Sequence, residues 1–286
     1  MLDCIHFFVL DNVAAALAVV FSSKPQIMKM YCCFPSMVSR GLALSSVLFT
    51  SMVISSAVDP KSSGESDLPT AKVPRINGSI EIDGKANEKA WKNAVKLAPL
   101  RLNGSAGKAK EKTDLRVCYD DDALYLFWKC EDRDIQATFT ERDSRFWEEE
   151  VAEFFVTAEG LNQYFELQWN PLGGVFDAII HNKIDESGKS IQFEGDWAFT
   201  SPGMKHAVHV EGSVQNSSDS DEYWQIEVKI PFKDLGRSTP KQNETWRAGF
   251  YRFNRTGKDQ VEHLSWSPTR SSSFHEPHKF GYLKFQ

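Results

Sequence analysis

The sequence predicts an all-β protein, an antiparallel, jelly-roll-like β-sandwich with one or two short helices. Three observations carry this. Apolar and polar residues alternate with period two in many short runs, turn residues separate almost all of those runs, and helical periodicity is confined to short pieces. The short pieces are Asn87 to Ala94 and Pro231 to Leu235. The clearest hairpin is Leu115-Arg116-Val117-Cys118-Tyr119, an acidic turn at Asp120-Asp121-Asp122, and Leu124-Tyr125-Leu126-Phe127-Trp128. Further strands are expected at Val151 to Thr157, Gln163 to Asn170, Gly174 to His181, His206 to Val214, Tyr223 to Ile230, Trp246 to Asn254, Glu262 to Trp266 and Phe280 to Phe285. No repeat at solenoid or propeller spacing is present.

The chain divides into three parts. Residues 1–57 form a targeting region, residues 58–72 a linker rich in Pro, Lys, Ser, Gly, Glu and Asp, and residues 73–286 the sandwich. Within the first part, residues 37–57 follow the order of a secretory signal: Arg40, an apolar run from Gly41 to Ile54, then Ser55-Ser56-Ala57. Cleavage is expected after Ala57, which makes the protein exported, to a periplasm, a cell surface or the medium. A membrane contact then arises only if the N-terminal segment is uncleaved. The apolar stretch Phe7 to Phe21 ahead of this signal admits two readings, an upstream start codon wrongly chosen or a membrane segment. Of the five Cys, only Cys118 and Cys130 lie beyond residue 57. Export permits a disulfide, but their places on opposite arms of one hairpin favour two free thiols packed as small apolar groups.

A net charge of −6, with both signs scattered along the chain, leaves no basic stripe for a phosphate backbone, so nucleic acid is not an expected partner. Aromatics make up 12% of the residues, which suits either stacking on flat apolar ligands or an aromatic-rich core. No Gly-rich phosphate loop and no nucleophile elbow occurs.

A series of landmarks points to a family. Glu81-Ile82-Asp83-Gly84-Lys85-Ala86-Asn87-Glu88-Lys89-Ala90-Trp91 resembles the entry signature of family 9 carbohydrate-binding modules. Tyr119-Asp120 with Leu124-Tyr125 is similar to the family's central hairpin. Phe146-Trp147 followed by Val151-Ala152-Glu153-Phe154-Phe155 is similar to its binding strand, and Asn170-Pro171-Leu172-Gly173 to the next turn. Glu227-Val228-Lys229-Ile230-Pro231-Phe232, Arg252-Phe253-Asn254-Arg255, Trp266-Ser267-Pro268 and Phe280-Gly281 complete an order that runs from residue 76 to 285. The resemblance implies a sandwich of the broad DOMON-like kind that grips a polysaccharide or oligosaccharide. Such domains commonly accompany glycoside hydrolases in polysaccharide breakdown.

A pyranose offers a face of C–H groups and a rim of hydroxyls, so a binder needs aromatic plates and planar polar side chains. Trp147, within the charged run Arg145-Phe146-Trp147-Glu148-Glu149-Glu150, is the first expected plate; the bland alternative is a Trp capping the sandwich edge. By the resemblance, Glu153 corresponds to a sugar-contacting Glu, and Gln168 falls where relatives can place an Arg. Arg252, near a position of sugar contact in relatives, is weighed against a structural ion pair with a carboxylate such as Glu227. Phe274 with Ser271 stands near where the family offers Trp and Asn, and Trp266 is the other candidate second plate. Trp91, Trp128, Trp169 and Trp224 are assigned to packing.

Structural calcium is a further possibility that the resemblance carries. Asp120, Asp121, Asp122, Asp132 and Asp134 supply oxygen ligands, though a solvated acidic turn is the commoner meaning of such a run, and the metal stays unassigned. Two rival readings remain. Glu149, Glu150, Glu153 and Glu166 offer a carboxyl pair for a hydrolase acting on O-glycosyl bonds. Met204 with His181, His206, His209, His263, His275 and His278 offers axial ligands for a haem-binding electron-transfer domain.

Overall fold

The computed structural model describes residues 68–286 apart from 106, 187–188, 256–259, 270 and 272. The expected targeting region and most of the linker lie outside the described residues. Fourteen strands are described: β1 Thr70–Val73, β2 Val95–Lys96, β3 Arg101–Leu102, β4 Thr113–Tyr119, β5 Ala123–Glu131, β6 Val151–Thr157, β7 Gln163–Trp169, β8 Val175–Ile184, β9 Ser190–Asp196, β10 Lys205–Glu211, β11 Tyr223–Pro231, β12 Thr245–Arg255, β13 Val261–Ser265 and β14 Gly281–Phe285. The helical pieces are single 3-10 turns, Lys89–Lys92 and Phe232–Leu235 at the two expected places, with Phe146–Glu148 and Pro277–Lys279 in addition.

The strands form two sheets. The larger runs β1-β14-β12-β6-β7-β8-β9, with β13 on β12 and β3 on β13; the smaller runs β10-β11-β5-β4-β2. All pairings are antiparallel except β1 with β14. Strand β1 lies slightly ahead of the expected boundary near Val73: Ala71 and Val73 point inward while β1 pairs with Leu283 and Phe285 of β14. Two apolar residues beside a polar flank are too short a run to stand out from sequence.

Alternation decides which side chains fill the sandwich. On the large sheet Ala152, Phe154, Val156, Leu167, Trp169, Trp246, Ala248 and Phe250 face inward. They meet Leu115, Val117, Leu126, Trp128, Trp224, Ile226 and Val228 of the small sheet. Trp128 bridges the layers, 5.7 Å from Trp169 and 5.9 Å from Phe250 between ring centroids. Fully burying a side chain of this kind contributes about 1.5–3 kcal/mol. Cys118 and Cys130 are both buried free thiols, at opposite ends of the hairpin: Cys118 lies opposite Tyr125, and Cys130 opposite Thr113. Burial pushes both up to about 12, so neither supplies a thiolate near neutral pH.

Both sheets also carry apolar cover on part of their outer faces. On the small sheet, Ile76, Ile80, Ala90 and Trp91 lie over Cys118, Tyr125 and Phe127. This cover is pinned by Glu227 of β11. One of its carboxylate oxygens accepts the backbone N–H groups of Asp83, Gly84 and Lys85 at 3.0, 2.9 and 3.2 Å, and the other accepts the indole N–H of Trp91 at 2.7 Å. Gly84 makes this approach possible: its φ is +86°, and a Cβ there would press on the backbone of Val208 and His209. On the large sheet a second apolar cluster of Val151, Phe155, Tyr164, Phe176, Ala178, Ile180, Tyr251, Phe274 and Phe280 covers the outer face.

Glu227→Ala leaves four N–H groups without their acceptor. Equilibrium urea unfolding followed by Trp fluorescence is expected to show a loss of about 2–4 kcal/mol, and an unchanged midpoint would contradict this account.

Candidate functional site

The outer face of the large sheet brings together four of the seven expected site residues and carries a fifth at its margin. Register sets a row across four strands: Phe176 on β8, Gln168 on β7, Glu153 on β6 and Tyr251 on β12 are direct cross-strand partners. With strands about 4.8 Å apart, the row spans roughly 14 Å. At one end Trp147 meets Phe176 edge to face at 5.7 Å. At the other, Phe274 stacks on Tyr251 with centroids 4.1 Å apart and planes 9° from parallel.

Local structure explains these positions. Phe146, wholly buried, anchors the 3-10 turn beneath the outer cluster, and Gly174 leaves the room it occupies, since a Cβ there would strike the Phe146 ring. The next side chain, Trp147, is therefore turned to the rim and left half-buried. Glu149 fastens the turn by accepting the backbone N–H groups of Thr138 and Phe139 at 2.6 and 3.0 Å. Phe274 belongs to the loop between β13 and β14. Ser271 of that loop is exposed, and its hydroxyl donates to Glu276 at 2.6 Å, so it braces the loop at the margin of the row.

Arg252 and Trp266 do not join the row. Arg252 follows Tyr251 along β12 and so points to the opposite face, where it is fully buried. It donates to Asp132 at 2.9 Å, to Asn254 at 2.6 Å and to the Glu131 carbonyl at 2.9 Å, with Glu150 3.7 Å away. It is thus a structural ion pair, with Asp132 and Glu150; Glu227 is committed to the cover of the small sheet. Trp266 is packed into the sandwich core, edge to face with Phe250 at 5.6 Å. Phe274 is itself 4% exposed, stacked on Tyr251 with little free ring face.

Three residues of the site were not evident from sequence. Trp197, just past β9, is 41% exposed and meets Trp147 at 6.0 Å and Phe176 at 5.6 Å, both near-perpendicular. Gly195 gives its indole room to lie back on the strand, because a Cβ at Gly195 would run into the ring. His275 stacks on Phe193 of β9 at 4.1 Å and shares a hydrogen bond with the Tyr164 hydroxyl at 2.7 Å. Tyr251 lies back over Gly249, where a Cβ would likewise collide with its ring. An exposed Trp flanked by Gly-Asp was the available signal for Trp197.

Polar atoms converge on the row without being satisfied there. The Gln168 amide donates to Glu166 at 2.6 Å, while its carbonyl oxygen and the Tyr251 hydroxyl are buried without a partner. Glu153 is 2% exposed, and no hydrogen bond to its carboxylate is described. Burial, with Glu166 beside it, holds the Glu153 carboxyl well above the usual range. Burial pushes Glu166 up to about 7 and lowers His275 to about 4, so the imidazole at this site is neutral near pH 7. Such a site offers hydrogen-bonding groups but no fixed net charge, which suits a neutral, hydroxyl-rich ligand.

Residues 92–285 match the family model of carbohydrate-binding family 9. This chain belongs to carbohydrate-binding family 9. Solved structures agree in fold. A Bacteroides uniformis protein assigned to carbohydrate binding superposes with a TM-score of 0.57 at 20% identity, over 76% of this chain and 99% of that one. A family 9 module from Caldicellulosiruptor kristjanssonii in complex with cellotriose gives 0.53 at 13% identity, over 76% and 94%. The same organism's module in complex with glucose gives 0.52 at 14%, over 76% and 96%. No curated protein matches the chain.

The other expected chemistries find less support in this family 9 fold. Of the four carboxylates weighed for hydrolysis, Glu149 caps a turn and Glu150 sits in the Arg252 network, which leaves Glu153 and Glu166 as close neighbours. For haem, Met204 packs against the core and His206 bonds to the Gly173 carbonyl at 2.9 Å. For calcium, Asp120 accepts from Asp122, Ala123 and Tyr125, Asp121 pairs with Arg75, and Asp132 serves Arg252. Among the described residues, Asp83, Glu88 and Glu227 bring three carboxylates within 4.8 Å of one another, but Glu227 is already spent on N–H donors.

Two measurements test this assignment. Arg252→Met strands Asp132 and Glu150 in the interior, and is expected to cost about 3–5 kcal/mol in urea unfolding without changing the outer row. Glu166 supplies a pH dependence. Its carboxyl rises from an ordinary 4.5 to about 7 in the fold, so the folded chain keeps a proton that the unfolded chain releases. Stability therefore falls as pH rises from about 4.5 to about 7, by about 3 kcal/mol from this group alone. Unfolding midpoints of Glu166→Gln across that range should be flatter than those of the parent protein; parallel curves would reject the argument.

Proposed function

We propose that the outer row of the large sheet is the carbohydrate site, and that the protein binds a neutral glycan there without cleaving it. The observation that carries this is the coincidence of an exposed aromatic corner, Trp147 with Trp197, and a cross-strand row whose Gln168 and Tyr251 oxygens lack partners. The two indoles meet edge to face and form an open corner. A sugar ring rests its C–H face on one indole and turns its hydroxyl rim toward Glu153, Gln168 and Tyr251. In this reading Trp197 takes the part of second plate, while Phe274 steadies the row by stacking on Tyr251. The carboxyl of Glu153, protonated, donates to one hydroxyl and accepts from another.

The reading extends to the setting of the protein. The signal-like order of residues 37–57 supports export, and the company kept by family 9 domains supports a supporting part in polysaccharide breakdown beside a glycoside hydrolase. Mass spectrometry of the protein recovered from its natural host is expected to find Val58 as the N-terminus; an intact residue 1–57 segment would reject the processing step.

Cellotriose and glucose, the ligands of the Caldicellulosiruptor modules, are the first to titrate, followed by a wider glycan screen, with Trp fluorescence as readout. Trp147→Ala and Trp197→Ala are each expected to weaken the best hit about tenfold or more, equivalent to about 1.4 kcal/mol, with far-UV circular dichroism unchanged. Failure of the folded protein to bind any glycan would overturn the proposal. Binding that survives both substitutions would move the site elsewhere.

A further inference from the structure

The outer face of the small sheet is covered only in part. Ile76, Ile80 and Trp91 cover Cys118, Tyr125 and Phe127, and the cover ends at Lys85–Asn87. Beyond it lies an open concavity of about 420 Å³, within the range of small-molecule sites at about 300–1,000 Å³. β4, β5, β11 and β10 place Arg116, Lys129, Gln225, Tyr223 and His209 on this face, and Lys85 and Asn87 close its edge.

Its lining is unlike the rest of the chain. Asp and Glu outnumber Lys and Arg by 39 to 33, yet four basic side chains and no carboxylate line this concavity. Asp114, 3.2 Å from Arg116, and Glu211, 3.5 Å from His209, offset part of that charge from outside the lining. No ion pair is described for Lys85 or Lys129. The Lys129 ammonium lies 3.5 Å from the centroid of the Tyr223 ring, which holds the cation in place without neutralising it. At the floor, Gln225 is 8% exposed and its amide donates to the Gly84 carbonyl at 2.7 Å.

We propose that this concavity is a second binding site, specific for a carboxylate-bearing sugar such as the uronate unit of an acidic glycan. Lys85, Lys129 and Arg116 would meet the carboxylate, and Asn87 and His209 the hydroxyls, with Tyr223 holding Lys129 in place. A single basic concavity with amides and an aromatic ring fits one charged sugar, whereas a nucleic-acid strand calls for a basic stripe. The site sits on the other sheet from the tryptophan corner, so the two can be occupied independently and by different sugars.

Backbone-amide NMR titration of the full chain separates the possibilities, with a galacturonate trimer, cellotriose and inorganic phosphate as probes. The uronate trimer is expected to shift amides around Lys129 and Gln225, and to bind at least about tenfold more weakly when salt rises from about 20 to about 500 mM. The same loss is expected in Lys129→Gln combined with Arg116→Gln, and in Lys85→Gln to a smaller degree, while Trp147→Ala leaves uronate binding unchanged. The proposal is overturned if cellotriose shifts the same amides as strongly. It is equally overturned if phosphate binds as tightly as the uronate, or if uronate binding persists in the double variant and vanishes with Trp147→Ala.

Discussion

Cross-strand register in the large sheet is the constraint on which the rest depends. Once β6 pairs with β7 and β12, alternation sends Ala152, Phe154 and Val156 into the sandwich and commits Val151, Glu153 and Phe155 to the outer face. A slip of one residue would put Glu153 into the apolar core and Phe154 onto the outer row. The aromatic core prevents this, because Phe154 and Phe250 are packed at 4.8 Å and Phe250 is held in turn by Trp128 and Trp266. Apolar burial on one face thus fixes polar geometry on the other.

Both faces of β12 carry buried polar groups. On the inner side Arg252 donates to Asp132, Asn254 and the Glu131 carbonyl with Glu150 3.7 Å away, although its Nε and one Glu150 oxygen have no partner and burial holds the Glu150 carboxyl well above its usual range. Burying a cation in this way costs several kcal/mol in desolvation, and removing either sign exposes that cost. On the outer side Glu153, Glu166, Gln168 and Tyr251 are buried with fewer partners than they have hydrogen-bonding capacity, and the carboxyls respond by holding their protons. Incomplete satisfaction is destabilising in isolation. A bound ring of hydroxyls would supply the missing partners, which is why the functional reading is placed on this side and not at Arg252.

Much of the fold was legible because period two is robust: the central hairpin and the eight later strands all appear where alternation placed them. β9 was not legible, since Ser190–Asp196 carries only Ile191 and Phe193 as large apolar residues and its burial is mixed. With β9 unseen, Trp197 had no sheet to belong to and its meeting with Trp147 could not be anticipated. For Arg252 two directions were defensible from local pattern, and only the inward orientation of even-numbered positions on β12 separates them. Phe274 lies beside Tyr251 at one end of the row, and whether a loop aromatic presents its face or stacks it on a neighbour depends on packing that no local pattern encodes.

The glycines at the rim connect this packing to the outer face of the large sheet. Gly195 and Gly249 each sit beneath an aromatic ring from two residues further along the same strand or its end, Trp197 and Tyr251. Without a Cβ below them, both rings fold back along the backbone instead of standing upright from the sheet. For Trp197 this tilts the indole against Trp147 and Phe176; for Tyr251 it sets the ring parallel to Phe274 and its hydroxyl over Gly249, opposite Phe155. Rings packed against the backbone in this way have little rotamer freedom left to lose if a ligand binds on them. The open corner and the unfilled hydrogen bonds are therefore products of the same packing, one from the space the glycines leave and the other from the register that buries Glu153.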